Sequence, residues 1–177
     1  MIYDIIIIGF GISGISLAKE SIKRNKKILI IEKNSSFGGI WFNCNNNTSL
    51  QTHKDYYEFN NEISMDSKFD SYPSKKEILI YLETIINKYQ LDKHVKYNYI
   101  VNNIKKKGNN YLINNKYEAK YIGICSGHNN IPIKIKELDS FRGIIIHSSN
   151  LKNFDFSGIK NKNICVLGNG ASACDVI

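Results

Sequence analysis

The first hydrophobic feature of the chain is an unbroken run, Ile5 to Ile8, that stops at Gly9. Consecutive β-branched residues with no polar alternation describe a strand covered on both faces, as in a parallel sheet. From Ile12 to about Asn25, the apolar positions Ile15, Ala18 and Ile22 return at helical spacing, and Lys27 to Ile31 supplies a second buried run. Strand, helix and strand in about thirty residues is the size of one βαβ unit. Phe37 to Asp70 has no clear period and is rich in Asn. Its aromatics, Trp41, Phe42, Tyr56, Tyr57 and Phe59, predict contact with something apolar. Ser74 and Glu77 stand at capping-box spacing, so a helix is expected to start near Lys75, with Ile78, Leu82, Ile85 and Tyr89 on one stripe. Val95 to Ile104 and Tyr111 to Ile113 read as strands around a Lys-Gly-Asn-Asn turn. Tyr121 to Cys125 reads as another strand. So does Asn163 to Leu167, which ends at Gly168. There is no repeat of solenoid period. One echo stands out: a strand followed by glycines occurs at Gly9 and again at Gly168.

Composition changes this picture little. A chain of 177 residues is long enough for one domain with a real core. The net charge of +8 raises the question of nucleic acid or an anionic membrane. The excess is almost all Lys, with Arg24 and Arg142 the only arginines, and Arg is the better residue for bidentate phosphate recognition. Lys, Asn, Ile and Tyr share A/T-rich codons, so coding bias accounts for the charge as well as function does. No nucleic-acid motif accompanies it, and none is expected to bind. The cysteines, Cys44, Cys125, Cys165 and Cys174, form no C-x-x-C and no zinc pattern with the histidines. They read as reduced thiols of a cytoplasmic protein, with no metal site expected. No apolar run reaches membrane-spanning length, and Met1 to Phe10, which carries Asp4, is not a signal peptide.

Candidate chemistry lies in the glycines. Gly9-Phe10-Gly11-Ile12-Ser13-Gly14 is a G-x-G-x-x-G between a buried strand and a helix. Its first Gly permits the tight turn, its second lets backbone approach a pyrophosphate, and its third lets helix and strand pack closely. The helix start offers free N–H groups and the positive dipole end to phosphates. Glu32 closes the second strand, eighteen residues after Gly14, where an acid accepts hydrogen bonds from a ribose. That carboxylate would repel a 2′-phosphate, so FAD or NAD suits this turn better than NADP. Gly38-Gly39-Ile40-Trp41 allows a second close backbone approach, with an ordinary core tryptophan as the alternative for Trp41. Cys125-Ser126-Gly127-His128 follows a strand and allows a third. Gly168-Asn169-Gly170-Ala171-Ser172-Ala173 is a G-x-G-x-x-A and reads as the start of a second dinucleotide site.

In this order the motifs resemble those of the flavin-containing monooxygenases and the related Baeyer–Villiger monooxygenases. The resemblance spans essentially the whole chain: G-F-G-I-S-G, Glu32, G-G-I-W, L-Q-T-H-K, Y-P-S-K-K-E-I-L-I-Y-L, C-S-G-H-N-N-I-P, F-R-G-I-I-I-H-S and G-N-G-A-S-A-C-D. The most telling piece is Phe141-x-Gly143-x-x-x-His147, which resembles the identifying F-x-G-x-x-x-H of that family. Ser148 after His147 is closer to the flavin-containing group than to the Baeyer–Villiger group.

The resemblance implies an α/β fold. Residues 1–160 would form the N-terminal portion of a Rossmann-like FAD-binding domain, a parallel sheet with helices and a small antiparallel β insertion. Residues 161–177 would be the first strand and glycine loop of a second Rossmann-like domain, for NADP. The chain would then be an N-terminal fragment, inactive when isolated. The implied activity is an FAD- and NADPH-dependent monooxygenase that moves one oxygen of O2 through a flavin hydroperoxide to a soft nitrogen or sulfur nucleophile. The cofactor carries the chemistry and the protein supplies position and a dry pocket. The implied FAD contacts are Gly9, Phe10, Gly11, Ser13, Gly14, Glu32 and Lys33, then Gly39, Trp41 and His53 on the flavin side. Val101 would meet the adenine through its backbone, and Ser126 and Gly127 would line the same cofactor. Gly168, Gly170 and Ser172 would begin the NADP site. Gln51 is the catalytic candidate beside the flavin, and His147 reads as a hydrogen-bonded linker residue. Two other enzyme readings stay open at this stage. A thioredoxin-reductase-like disulfide reductase would need a redox cysteine pair that the sequence lacks, and a lysine- or ornithine-type N-hydroxylase is a near relative. A non-catalytic FAD-binding module is the remaining alternative.

Overall fold

The computed structural model describes residues 1–59, 62–128 and 131–176. Its centre is a six-stranded sheet in the order β3-β2-β1-β6-β5-β4. The strands are β1 (Ile2–Ile8), β2 (Ile28–Ile31), β3 (Val95–Lys96), β4 (Ile104–Lys107), β5 (Asn110–Ile113) and β6 (Tyr117–Ile124). The first four in spatial order run parallel. The β4–β5 hairpin adds antiparallel to β6, which is the expected antiparallel insertion joined to the same sheet.

Helices α1 (Ile12–Lys23) and α3 (Lys75–Lys88) pack over one face of the sheet, and the short α2 (Ile40–Asn43) lies between them in sequence. The main core joins Ile7, Ile28 and Ile30 to Ile15 and Ala18 of α1 and to Ile78, Leu82, Ile85 and Ile86 of α3. Each fully buried Ile or Leu there stabilises the fold by about 1.5–3 kcal/mol relative to its exposed state. The opposite face holds a smaller cluster of Ile6, Leu29, Ile31, Ile113 and Ala119. Alternate residues of β1 and β2 thus serve two cores, so neither strand shows polar alternation.

The helix at Lys75 starts as the capping box requires. Ser74 accepts from the Glu77 backbone N–H, and the Glu77 carboxylate accepts from the Ser74 N–H at 2.8 Å. The irregular stretch before it is sutured by side chains rather than by a ladder. Tyr81 accepts from Phe59 N–H (2.7 Å) and donates to the Ile63 carbonyl (3.0 Å), while Phe59 stacks on its ring. Of the aromatics of this stretch, Trp41, Tyr57 and Phe59 pack into the main core, whereas Tyr56 is exposed.

Two expected strands differ. Val95 to Ile104 is not one strand. Only Val95–Lys96 pairs with β2, after which Asn98 takes φ +54° and the chain turns away until β4. The side chain of Asn114 holds that loop, accepting from Asn102 and Asn103 N–H and donating to the Ile100 carbonyl. Asn163 to Leu167 also forms no strand: Ile164 is 62 % and Leu167 61 % exposed, and no ladder reaches them among the described residues. A strand is stabilised by a neighbour's backbone groups and a covered face, and this segment has neither. β6 is longer than expected, beginning at Tyr117 where the hairpin returns.

Candidate functional site

The sheet register brings the chemistry together. Ile8, Ile31 and Ile124 are aligned across β1, β2 and β6, so the residues that follow them, Gly9, Glu32 and Cys125, emerge side by side at the carboxyl edge. Gly9 N–H donates to the Ile31 carbonyl and Cys125 N–H to the Ile8 carbonyl, both at 2.8 Å. β1 passes to β2 on one side through α1, while β6 arrives on its other side. This edge is therefore a switch point, where open α/β sheets bind ligands.

The glycines are required by contact. Gly9 has φ +101°, and a Cβ there would lie 2.3 Å from the Cys125 carbonyl oxygen. A Cβ on Gly14 would lie 2.0 Å from the Gly9 oxygen, so α1 sits directly on the turn. A Cβ on Gly39 would come within 2.9 Å of Gly11 Cα, so two backbone segments meet with no side chain between them. Gly11 is the N-cap of α1 and provides no side-chain cap, which leaves the first-turn amides of α1, with Ser13 exposed among them, directed at this edge.

Glu32 is 3 % exposed and braces the turn. Its Oε2 accepts from Phe10 N–H at 2.7 Å and its Oε1 from Asn34 N–H at 2.8 Å. Each carboxylate oxygen retains a second lone pair for a ribose hydroxyl. Burial pushes the Cys125 thiol up, so it stays neutral and adds no negative charge beside a phosphate position. Uncapped amides, glycine contacts that exclude any Cβ and a buried carboxylate together fit the ADP half of a dinucleotide such as FAD.

The other expected residues are placed less uniformly. Phe10 is fully buried beneath the turn, against Phe37 and Tyr97, and takes part through its backbone. Lys33 is exposed after Glu32. Trp41 lies in the core, 8 % exposed, and its indole N–H donates to the Tyr57 hydroxyl at 2.6 Å. Burial pushes the Tyr57 phenol up to about 12, so it stays protonated. His53 caps the turn Lys54–Tyr56, lies edge-on to Tyr56 and Tyr72, and is within 3.4 Å of Asp55. Gln51 is exposed. Val101 is half-buried against the second core cluster. Ser126 and Gly127 follow Cys125 at the sheet edge, Gly127 with φ +79°. Asn129 and Asn130 of the same motif lie outside the described residues. His147 caps the turn Ser148–Asn153, accepting from Ser149 N–H, a local hydrogen bond.

The second glycine motif repeats the backbone of the first. Gly168 has φ +119°, near the +101° of Gly9. Gly170 caps α4 (Ala171–Cys174) at φ −82°, ψ −177°, near the −83°, −169° of Gly11. Here a Cβ on Gly168 or Gly170 would meet nothing within 4 Å. Ser172 is exposed on α4. Three side chains that bond to α2 escaped the sequence reading: Tyr57 on the Trp41 indole, Lys75 on the Cys44 carbonyl and Asn46, and Lys152 on the Phe42 carbonyl. Tyr57 was visible only as one aromatic of the Asn-rich stretch. The two lysines act through backbone carbonyls, for which no spacing signal exists.

Among the described residues, no helix is long and apolar enough to cross a membrane. Residues 6–177 match the family described as pyridine nucleotide-disulphide oxidoreductase. The chain is 28 % identical, over 97 % of its length and 35 % of the relative's, to 4-hydroxybenzoate brominase (decarboxylating) of Pseudoalteromonas luteoviolacea. It is 25 % identical, over 98 % of its length and 46 % of the relative's, to the flavin-containing monooxygenase FMO GS-OX5 of Arabidopsis thaliana. Among solved structures, the FAD-bound form of OTEMO superposes with a TM-score of 0.69 at 25 % identity, covering 83 % of this chain and 29 % of that one. The chain thus spans about a third to a half of the curated relatives it matches. The chain belongs to the pyridine nucleotide-disulphide oxidoreductase family and, within it, to the class B flavin monooxygenases.

Proposed function

We propose that this chain is the flavin-binding part of an FAD- and NADPH-dependent monooxygenase that delivers one oxygen atom of O2 to a soft nitrogen or sulfur nucleophile. The observation that carries the reading is the turn Gly9–Gly14 seated on buried Glu32, with a second glycine turn of the same backbone path at Gly168–Gly170. In this reading residues 1–160 belong to the FAD domain and residues 161–177 open the NADP domain.

FAD, when bound, supplies the redox and oxygen-activating chemistry. The chain's own residues bind and orient it. Amides of the Gly11–Gly14 turn face the pyrophosphate, Glu32 accepts from the ribose hydroxyls, and the Val101 backbone meets the adenine. Gly39, His53, Ser126 and Gly127 border the remainder, with Gln51 at the flavin. Trp41 serves from behind, holding Gly39 in place through its packing and its bond to Tyr57. Gly168, Gly170 and Ser172 begin the NADP pyrophosphate contact. Ser148 after His147 favours nitrogen or sulfur oxygenation over Baeyer–Villiger chemistry.

The test is to express this chain with any coding sequence that follows codon 177 and supply NADPH, O2 and, in parallel, a tertiary amine, a thioether, a cyclic ketone and 4-hydroxybenzoate with bromide. The reading predicts a yellow protein, bleached by NADPH, that forms the N-oxide or sulfoxide. A colourless protein that takes up no FAD contradicts it, and turnover of the ketone or the bromination substrate alone reassigns the reaction.

A further inference from the structure

α2 is four residues long, too short to stand on its own hydrogen bonds. Only Cys44 N–H closes a full turn, onto the Ile40 carbonyl at 2.8 Å. Its carbonyl end is nevertheless heavily bonded. Lys152 Nζ donates to the Phe42 carbonyl at 2.6 Å and lies 4.0 Å from the centre of the Phe42 ring. Lys75 Nζ donates to the Cys44 carbonyl at 2.7 Å and to Asn46 Oδ1 at 3.1 Å. Cys44 Sγ faces the Trp41 carbonyl at 3.6 Å. Three carbonyls of the last turn thus have side-chain donors, and two of the donors are cations at the negative end of the helix. Burial lowers the pKa of Lys75, and nearby Lys152 adds to the shift. Two ammonium groups held this close are unfavourable unless the carbonyls between them compensate.

The other end of α2 is Gly39, which abuts Gly11 in the first dinucleotide turn. Lys75 opens α3, whereas Lys152 comes from the segment that leads to the second glycine motif, 110 residues beyond Phe42. Leu151, 8 % exposed, anchors that segment beside it. We infer that Lys75 and Lys152 clamp α2 as positioning residues, so that the segment leading to the second dinucleotide motif sets how closely Gly39 approaches Gly11 at the first. The inference rests on the first turn being the FAD site. It makes seating of the 148–153 segment a condition for tight flavin binding, a coupling between the two halves through one short helix.

The experiment is titration of the 177-residue chain with FAD, followed by quenching of flavin fluorescence, for the parent, K152M and K152R. Urea midpoints are measured on the same samples. K152M keeps a side chain of similar length and removes the charged group that both donates to the Phe42 carbonyl and lies over the Phe42 ring. It is expected to weaken FAD about tenfold, the loss of one charge-assisted bond, with little change in the urea midpoint. K152R is expected to restore binding to within about threefold of the parent, because it keeps the cation and donor. K75M, tested in the same way, is expected to weaken FAD as well. A K152M chain that binds FAD like the parent overturns the clamp while leaving the flavin site intact. A tenfold loss that K152R does not restore also overturns it, assigning the effect to packing on Phe42. A parent chain that binds no FAD overturns the site itself.

Discussion

Gly9→Ala isolates the contact on which the first turn depends. The substitution does two things. It forces an L-residue to φ +101°, which costs about 1–3 kcal/mol. It also places a methyl 2.3 Å from the Cys125 carbonyl oxygen, a backbone atom that cannot rotate away. Moving β6 outward by roughly 1 Å to relieve that contact is an overpacking event of about 1–3 kcal/mol. The reduced entropy of the unfolded chain returns about 0.4–1 kcal/mol. The net loss is about 3 kcal/mol, a large share of the stability of an ordinary domain. With a urea m-value of about 2 kcal/mol per molar, the midpoint falls by about 1.5 M. Gly168→Ala is the internal control: its φ is +119°, but nothing lies within 4 Å of the new methyl. Any strain there relaxes locally in an exposed segment, and the midpoint stays within about 0.3 M of the parent. Trp41, the single tryptophan, is buried in the main core and reports unfolding by fluorescence. Equal midpoints for Gly9→Ala and the parent, or equal losses for Gly9→Ala and Gly168→Ala, would refute the steric account.

Other substitutions probe separate links. Glu32→Gln keeps the shape but turns an N–H toward Phe10 or Asn34, each of which already donates. It should cost about 1–3 kcal/mol in urea unfolding and weaken FAD in titration. Ser74→Ala removes the cap of α3 and should cost about 1 kcal/mol by the same unfolding assay. Glu62 is held down to about 2 by its hydrogen bonds to Lys23 and Tyr89. Its folded pKa lies below its unfolded one, so its contribution is complete above about pH 4.5 and is lost as pH falls through about 2. Thermal melts of the parent and Glu62→Gln should therefore converge in acid and separate, with the parent higher, near neutrality.

The readable parts of this fold were those whose signal is local. Ile5–Ile8 and Ile28–Ile31 serve cores on both faces, so their runs are continuous, and Ser74 and Glu77 satisfy one helix end by themselves. Glu32 was legible because it follows a strand at a fixed distance from the glycines. The misread strands depend on distant partners. Asn98 and Tyr99 still donate to the Asn34 and Glu32 carbonyls, but Ile100 to Asn103 runs clear of the ladder, where Asn114, from the hairpin, offers its side chain to the backbone. Asn163 to Leu167 has the composition of a strand but no ladder partner among the described residues. The abundance of Asn, which coding bias explains on its own, also has a structural use. Asn25, Asn98, Asn114, Asn115 and Asn161 all take positive φ, where Asn is the most tolerant residue after Gly. Of the site, the glycine turn and its acid were visible. The Trp41–Tyr57 bond and the bonds from Lys75 and Lys152 to the end of α2 were not, because they join residues without a shared period.

In the proposed reading the first turn carries FAD and, through Glu32, rejects a 2′-phosphate. Competition binding on the purified chain tests it most directly. One flavin should bind per chain, displaced by ADP but not by adenosine 2′,5′-bisphosphate at the same concentration. Absence of flavin binding, or equal displacement by the 2′-phosphorylated nucleotide, would contradict the account.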